Sequence, residues 1–165
     1  MRSDFKVSVS KDYLVFSSAH FITFRGHQCE TLHGHNYRVG VTVEGTVDHE
    51  TMFVVDFSVL KKIVRKLVDE VDHKVLLPLK NPKLSFREEG RSRHVHYFGE
   101  PTYVFPVVDC AMVPIENTTA EMLAQYFAHR VRDELLAQGI RNLTAIEMEV
   151  EESFGQAATY RLVVE

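Results

Sequence analysis

Cysteine is scarce in this chain, with only Cys29 and Cys110 among 165 residues. Two thiols are too few for a disulfide scaffold and suit a reducing compartment. Long apolar runs are missing as well. No stretch approaches the ~20 residues that would span a bilayer, and the opening Met1-Arg2-Ser3-Asp4-Phe5 has no signal-peptide core. Excess positive charge is also lacking. With 19 Lys and Arg against 23 Asp and Glu, the formal charge is −4, which argues against a protein that wraps nucleic acid. A small anionic substrate held by local cations remains compatible with that balance. There is no internal repeat, no low-complexity tract and no sign of a second domain. These absences point to a cytoplasmic enzyme or binding protein, one domain over residues 1–165. The hydrophobic fraction, 45%, is enough to bury a core at this length.

What the chain does have is concentrated between Arg25 and Tyr37, Arg-Gly-His-Gln-Cys-Glu-Thr-Leu-His-Gly-His-Asn-Tyr. Cys29 stands ahead of a His33-Gly34-His35 pair, and the pair runs into Tyr37-Arg38-Val39-Gly40-Val41-Thr42-Val43, whose alternation predicts a half-buried strand. Every second side chain of a strand shares a face, so His33, His35, Tyr37, Val39, Val41 and Val43 point together. Upstream, Leu14, Phe16, Ser18 and His20 form another same-parity series that ends in histidine. If the two strands pair antiparallel, His20 meets His33 and His35. Three imidazoles with an open fourth position are the mark of a catalytic zinc site. A His-x-His pair alone is a weak signal, because most such pairs are ordinary surface or core histidines. The chain holds a second one, His94-Val95-His96, set among Arg91, Arg93, Tyr97 and Gly99, and that pair reads as a solvated loop. Cys29, in a polar turn between histidines, is expected to have a lowered pKa. Cys110 reads as a small buried hydrophobe.

Taken in order, residues from about 5 to 20 and from about 33 to 46 read as strands joined by the loop Phe21 to Leu32. Asp56 or Ser58 caps a helix with the stripe Leu60, Ile63, Val64, Leu67 and Val71, which ends at Asp72-His73-Lys74. A histidine near a helix C-terminus is favoured by the dipole whatever its function, so that pair is marked only with partners elsewhere. From Leu76 to Pro114 the pattern is lost among prolines and glycines. This reads as a surface excursion (76–114) with a short hairpin around Gly99-Glu100-Pro101. Thr118 and Glu121 read as a capping box opening a second helix that Gly139 ends. A strand from Leu143 to Ser153 puts Ile146, Met148 and Val150 on one face. Glu152 falls on that apolar side, where a carboxylate is costly unless paired. Gly155 then turns the chain into a last strand, Ala157 to Val164. The order predicts an α+β fold, a four-stranded antiparallel sheet with two helices on one face and a long excursion between the helices. Its uncovered face and edges call for an oligomer.

With His20, Cys29, His33-Gly34-His35-Asn36-Tyr37, Asp72-His73, Thr119-Ala120-Glu121 and Glu152 assembled, the chain resembles the 6-pyruvoyltetrahydropterin synthase family over nearly its whole length. The three residues between Cys29 and His33 are similar to the family's bacterial branch, 6-carboxy-5,6,7,8-tetrahydropterin synthase. The resemblance implies a tunnelling fold in which subunits join sheets into a barrel, with trimers stacked as a homohexamer and sites at subunit interfaces. It implies Zn2+ on His20, His33 and His35, proton transfer by Cys29, Asp72 and His73, and a pterin anchored by Glu152, with Thr119 and Glu121 at the substrate. The implied reaction converts 7,8-dihydroneopterin triphosphate to 6-carboxy-5,6,7,8-tetrahydropterin with release of triphosphate and acetaldehyde, in the 7-deazaguanine (queuosine) pathway. Arg25, Lys74 and the Arg91-Arg93 pair are candidates for holding the triphosphate. The alternatives are 6-pyruvoyl formation by triphosphate elimination only, or a non-catalytic zinc- and pterin-binding oligomer. No nucleic-acid or membrane partner is expected.

Overall fold

The computed structural model describes residues 4–164, so the Met1–Ser3 opening lies outside the described residues. Strand β1 (Phe5–His20) pairs antiparallel with β2 (His33–Gly45). Helix α1 (Phe57–Val71) follows, and the excursion then supplies β3 (Lys74–Pro78), β4 (Leu84–Glu89), β5 (Ser92–Tyr97), β6 (Glu100–Pro106) and, after a 3-10 turn, β7 (Cys110–Val113). Helix α2 (Ala120–Ala137) leads into β8 (Leu143–Ser153) and β9 (Gln156–Val163). No described helix is long and apolar enough to cross a membrane.

The α+β arrangement with two helices stands, but the four-stranded antiparallel sheet is a mixed six-stranded one, β7-β3-β1-β2-β8-β9. The two extra strands come from the excursion and run parallel, β3 beside β1 and β7 beside β3. They escape a pattern search because a short parallel strand buried on both faces shows no alternation; Leu76 and Leu77 are both fully buried, in different clusters. The rest of the excursion is a separate antiparallel sheet, β4-β5-β6. Its β5–β6 hairpin turns at Phe98-Gly99, as the sequence predicts. His94-Val95-His96 is therefore a correction: it lies on the central strand of this sheet, with Val95 fully buried. Pro101 and Pro106 are tolerated because β6 is an edge.

The core lies between the main sheet and the helices. Helix α1 buries Leu60, Ile63, Val64, Leu67, Val68 and Val71, a stripe at helical spacing capped by Asp56, whose carboxylate accepts from Ser58 N. Facing it, Phe16 and Tyr37 are paired across β1 and β2 with rings stacked 4.5 Å apart, an arrangement worth roughly 0.5–1.5 kcal/mol beyond burial. Strand β1 reaches this register through an irregularity. Ser10 pairs with Gly40 and Val15 with Arg38, so three extra residues are looped out of β1. Odd residues such as Val9 face the helices before the bulge, and even ones, Leu14 to His20, face them after it.

The cap of α2 is a second correction. Thr119, not Thr118, is the N-cap, its hydroxyl accepting from Met122 N. Thr118 is fully buried and turned toward His20.

Candidate metal centre

Antiparallel pairing sets His20 directly across from His33, and Ser18 across from His35. Alternation then projects all three imidazoles from the helix-facing side at the sheet's end. Across the sheet, Glu152 is the extra residue of a β-bulge between the Glu151–Ala157 and Ser153–Gln156 pairs, a device that re-aims a side chain. Ligand atoms of His20, His33, His35 and Glu152 all lie within 4.8 Å of one another. His33 Nε2 is 2.9 Å from His35 Nε2, and Glu152 Oε1 is 2.9 Å from His35 Nε2 and 3.2 Å from His20 Nε2.

Backbone carbonyls decide which nitrogen faces the group. A carbonyl only accepts, so His20 Nδ1–H donates to Thr118 O at 2.8 Å and His33 Nδ1–H donates to Thr31 O at 2.8 Å. In the neutral ring this leaves each Nε2 with a lone pair aimed inward. His20 Nε2 is buried and makes no hydrogen bond. Two such lone pairs, a third imidazole and a carboxylate form an electron-rich cluster that a divalent cation satisfies, and the N/O donor set suits zinc. Burial holds His20 below its ordinary pKa, against the Thr118 bond and the Glu152 charge, which favours the neutral form a metal needs.

Glu152 is thus paired on its apolar side, and it also lines a cavity of about 180 Å³ with Thr119, Glu121, Ile22, Gln156 and Ala157. The three sequence candidates for substrate binding share this cavity. Asp72 and His73 do not join the metal group. At the end of α1, Asp72 Oδ1 accepts from Ser17 N at 2.9 Å and His73 N donates to Ser17 O at 2.7 Å, which ties the pair to β1. His73 Nδ1 lies 3.0 Å from Asp72 Oδ1, with the ring mostly in solvent. His73 lines a cavity of about 590 Å³ with Lys74, Asp109, Ser17, Gly34 and Asn36. Ser17, Gly34 and Asn36 alternate with the imidazole-bearing positions, so most of this cavity lies on the other side of the strand pair, while Ser18 and the metal-group residue His35 also line it.

Cys29 is also outside the metal group. It packs against a second cluster built on Phe21, Leu77, Leu84 and Val95. The lowered thiol pKa is corrected: burial pushes it up, the neighbouring Glu30 charge adds to the rise, and Lys83 opposes it. Cys110 is half-buried against the same cluster. Of the candidate triphosphate cations, Arg93 is buried and paired with Glu88, and Lys74 Nζ donates to Val108 O.

Three residues near the group have no role at it in the sequence reading. Glu30 Oε1 is 3.5 Å from His33 Nε2, a spacing of three residues that could have drawn notice. Thr118 holds His20, and nothing in its sequence context says so. Tyr37, fully buried beneath the imidazoles with rings 5.5 and 6.0 Å from His35 and His20, has a hydroxyl without a hydrogen-bond partner.

A family profile described as 6-pyruvoyl tetrahydropterin synthase matches residues 8–162. A Methanocaldococcus jannaschii protein with the provisional name 6-carboxy-5,6,7,8-tetrahydropterin synthase is 40% identical over 152 residues, 92% of each chain. Among solved structures, the Plasmodium falciparum 6-pyruvoyl tetrahydropterin synthase superposes with TM-score 0.90 at 33% identity, over 99% of this chain and 100% of that one. The Plasmodium vivax 6-pyruvoyltetrahydropterin synthase, in a form whose catalytic glutamate is replaced by alanine, gives 0.89 at 31% identity, with the same coverage.

Proposed function

The chain belongs to the 6-pyruvoyl tetrahydropterin synthase family, and from that membership we propose that it converts 7,8-dihydroneopterin triphosphate and water to 6-carboxy-5,6,7,8-tetrahydropterin, triphosphate and acetaldehyde, in the 7-deazaguanine (queuosine) pathway. The observation that carries this reading is the convergence of His20, His33 and His35 on one point at the rim of the Glu152 cavity.

His20, His33 and His35 would hold Zn2+, with Glu152 beside them. When bound, zinc supplies Lewis-acid stabilisation of negative charge on the substrate's side-chain oxygens. The chain's own residues do the rest. Glu152, at the mouth of the 180 Å³ cavity, accepts two N–H donors from the pterin edge, each charged hydrogen bond worth about 1.5–3 kcal/mol. Thr119 and Glu121 close the floor around the ring. Asp72 orients His73 through Nδ1 and leaves Nε2 free to carry a proton. Because His73 opens mainly on the far side of the strand pair, we assign it to the metal site of a neighbouring copy in a homo-oligomer, a hexamer built as a dimer of trimers.

Two groups compete for the first proton on carbon. Cys29 has the position that the resemblance implies, while Glu30 has the geometry, with its carboxylate 3.5 Å from His33 Nε2. A carboxylate base gains weight from the catalytic glutamate of the Plasmodium vivax relative. It opens a second reading, in which triphosphate is eliminated and the tail is retained as 6-pyruvoyltetrahydropterin. Product analysis on the zinc-loaded chain and its Cys29→Ala and Glu30→Gln variants separates these. Acetaldehyde that disappears in Cys29→Ala supports the first reading. Triphosphate without acetaldehyde, with turnover lost in Glu30→Gln, establishes the second. Pterin binding without either product sinks both and leaves a binding oligomer.

A further inference from the structure

The β4–β5–β6 sheet contributes nothing to the metal group, yet it grips the loop that carries Cys29 and Glu30. That loop is itself a small hairpin, with Phe24 N donating to Gln28 O and Glu30 N to Ile22 O, both at 2.9 Å, around a Thr23–Cys29 bridge. Two asparagines fix its base. Asn81 Nδ2 donates to Thr23 Oγ1 at 2.9 Å, and Asn117 Nδ2 donates to Thr23 O at 3.0 Å. One lysine fixes its tip: Lys83 Nζ donates to Gly26 O at 2.8 Å and also to Phe24 O.

The same ammonium lies 5.9 Å from the centre of the Phe98 ring, and that ring stacks on His27 with centroids 3.9 Å apart. Phe98 stands at φ 49°, a conformation that costs a bulky residue but not a glycine, and Gly99 follows it. Its N–H donates to Lys83 O at 2.9 Å, so ring and lysine are braced against each other. An aromatic kept at a position that suits glycine needs a reason, and the stack on His27 is the contact that supplies one. Below the loop, Phe21 meets Tyr103 of β6 at 5.1 Å, and Cys29 and Tyr97 both pack against the apolar cluster of Phe21, Leu77, Leu84 and Val95.

We propose that the β4–β5–β6 sheet is a clamp on the Cys29–Glu30 loop, with Lys83 as its positioning residue and Phe98 as the plate against which the loop tip rests. The clamp holds both competing proton acceptors at the metal group's flank. It rests on the reading above only in assigning chemistry to that loop.

The test uses zinc-loaded full chain in a Cys110→Ser background and follows alkylation of Cys29 by iodoacetamide across pH, comparing the plateau rates of the full thiolate so that any change in thiol pKa is separated from opening. Local opening governs the rate at which a held thiol reacts. Lys83→Met, which keeps the stem and removes the donors, should raise the rate about tenfold or more, and Lys83→Arg should bring most of it back. Phe98→Gly relieves the backbone and removes the plate, so it should also accelerate alkylation while leaving the melting temperature level or higher. Rates within twofold of the parent in both Lys83→Met and Phe98→Gly overturn the clamp. In Lys83→Met, kcat should fall with KM little changed. Faster alkylation with unaltered kcat upholds the clamp and removes the chemistry from this loop.

Discussion

The two sides of the β1–β2 strand pair are finished to different degrees. Toward the helices, one chain assembles three imidazoles and a carboxylate, with two rings locked by carbonyls and the group set against a buried floor. On the other side, Asp72 and His73 are just as firmly anchored to Ser17, but they face open space with the imidazole mostly in water. The candidate ligands all come from adjacent strands of one chain. On the reading proposed above, His73 serves a neighbouring copy, since most of the cavity it lines lies on the outer side of the strand pair. On the proposed reading, assembly would be a condition of turnover rather than of metal binding.

The strongest way to break the comparison is to empty the first side. His33→Ala should drop zinc from one per chain to near none and cut turnover by at least about a thousandfold, since the lost charge stabilisation is worth several kcal/mol. Metal analysis beside the activity assay checks it, and an active, metal-free variant refutes the centre. Mixing sharpens the comparison further. His33→Ala and His73→Ala oligomers should each be inactive, and co-refolded mixtures should recover about a quarter of native turnover if metal and dyad come from different copies. No recovery would mean that both serve one chain.

Thr118→Val should weaken zinc about tenfold while leaving the fold intact, with Thr118→Ser restoring it, because the hydroxyl 3.2 Å from His20 Nδ1 helps to hold the ring. A competition titration with a chelator reads this directly. The smallest effect belongs to the open side of the sheet. Glu44 is held below the usual carboxylate range by its bonds to Lys6 and Arg161. A depressed folded pKa contributes stability above the unfolded value and loses it as pH falls through the folded one. Glu44→Gln should therefore lower the melting temperature by about 2 °C at pH 7, and the difference should begin to shrink as pH falls into the ordinary carboxylate range and vanish only below the depressed folded pKa of Glu44. A gap that persists in acid removes the charge explanation.

Residues with a period were readable from sequence. The β2 alternation, the α1 stripe and the even series Leu14 to His20 carried their burial in their spacing, so the meeting of His20 with His33 and His35 could be anticipated. What had no period was invisible. Leu76 and Leu77 face different clusters and read as noise, although they pin two parallel strands to the sheet. Thr118 looks like a helix cap because its hydroxyl and the later Glu121 fit that pattern; only tertiary contact with His20 outbids it. Cys29 was read by its polar neighbours in sequence, whereas its environment is set by Leu84, Val95 and Tyr97, more than 50 residues away.

The three residues looped out of β1 between Ser10 and Val15 carry a constraint of arithmetic. An odd surplus hands the inward role from odd to even positions, and His20 inherits that role at the far end. If the loop kept its shape, one residue more or less would roll Leu14, Phe16 and His20 onto the outer side together, and two would keep their face but slide His20 two positions from His33. A surface kink remote from the histidines thus acts as their parity bit.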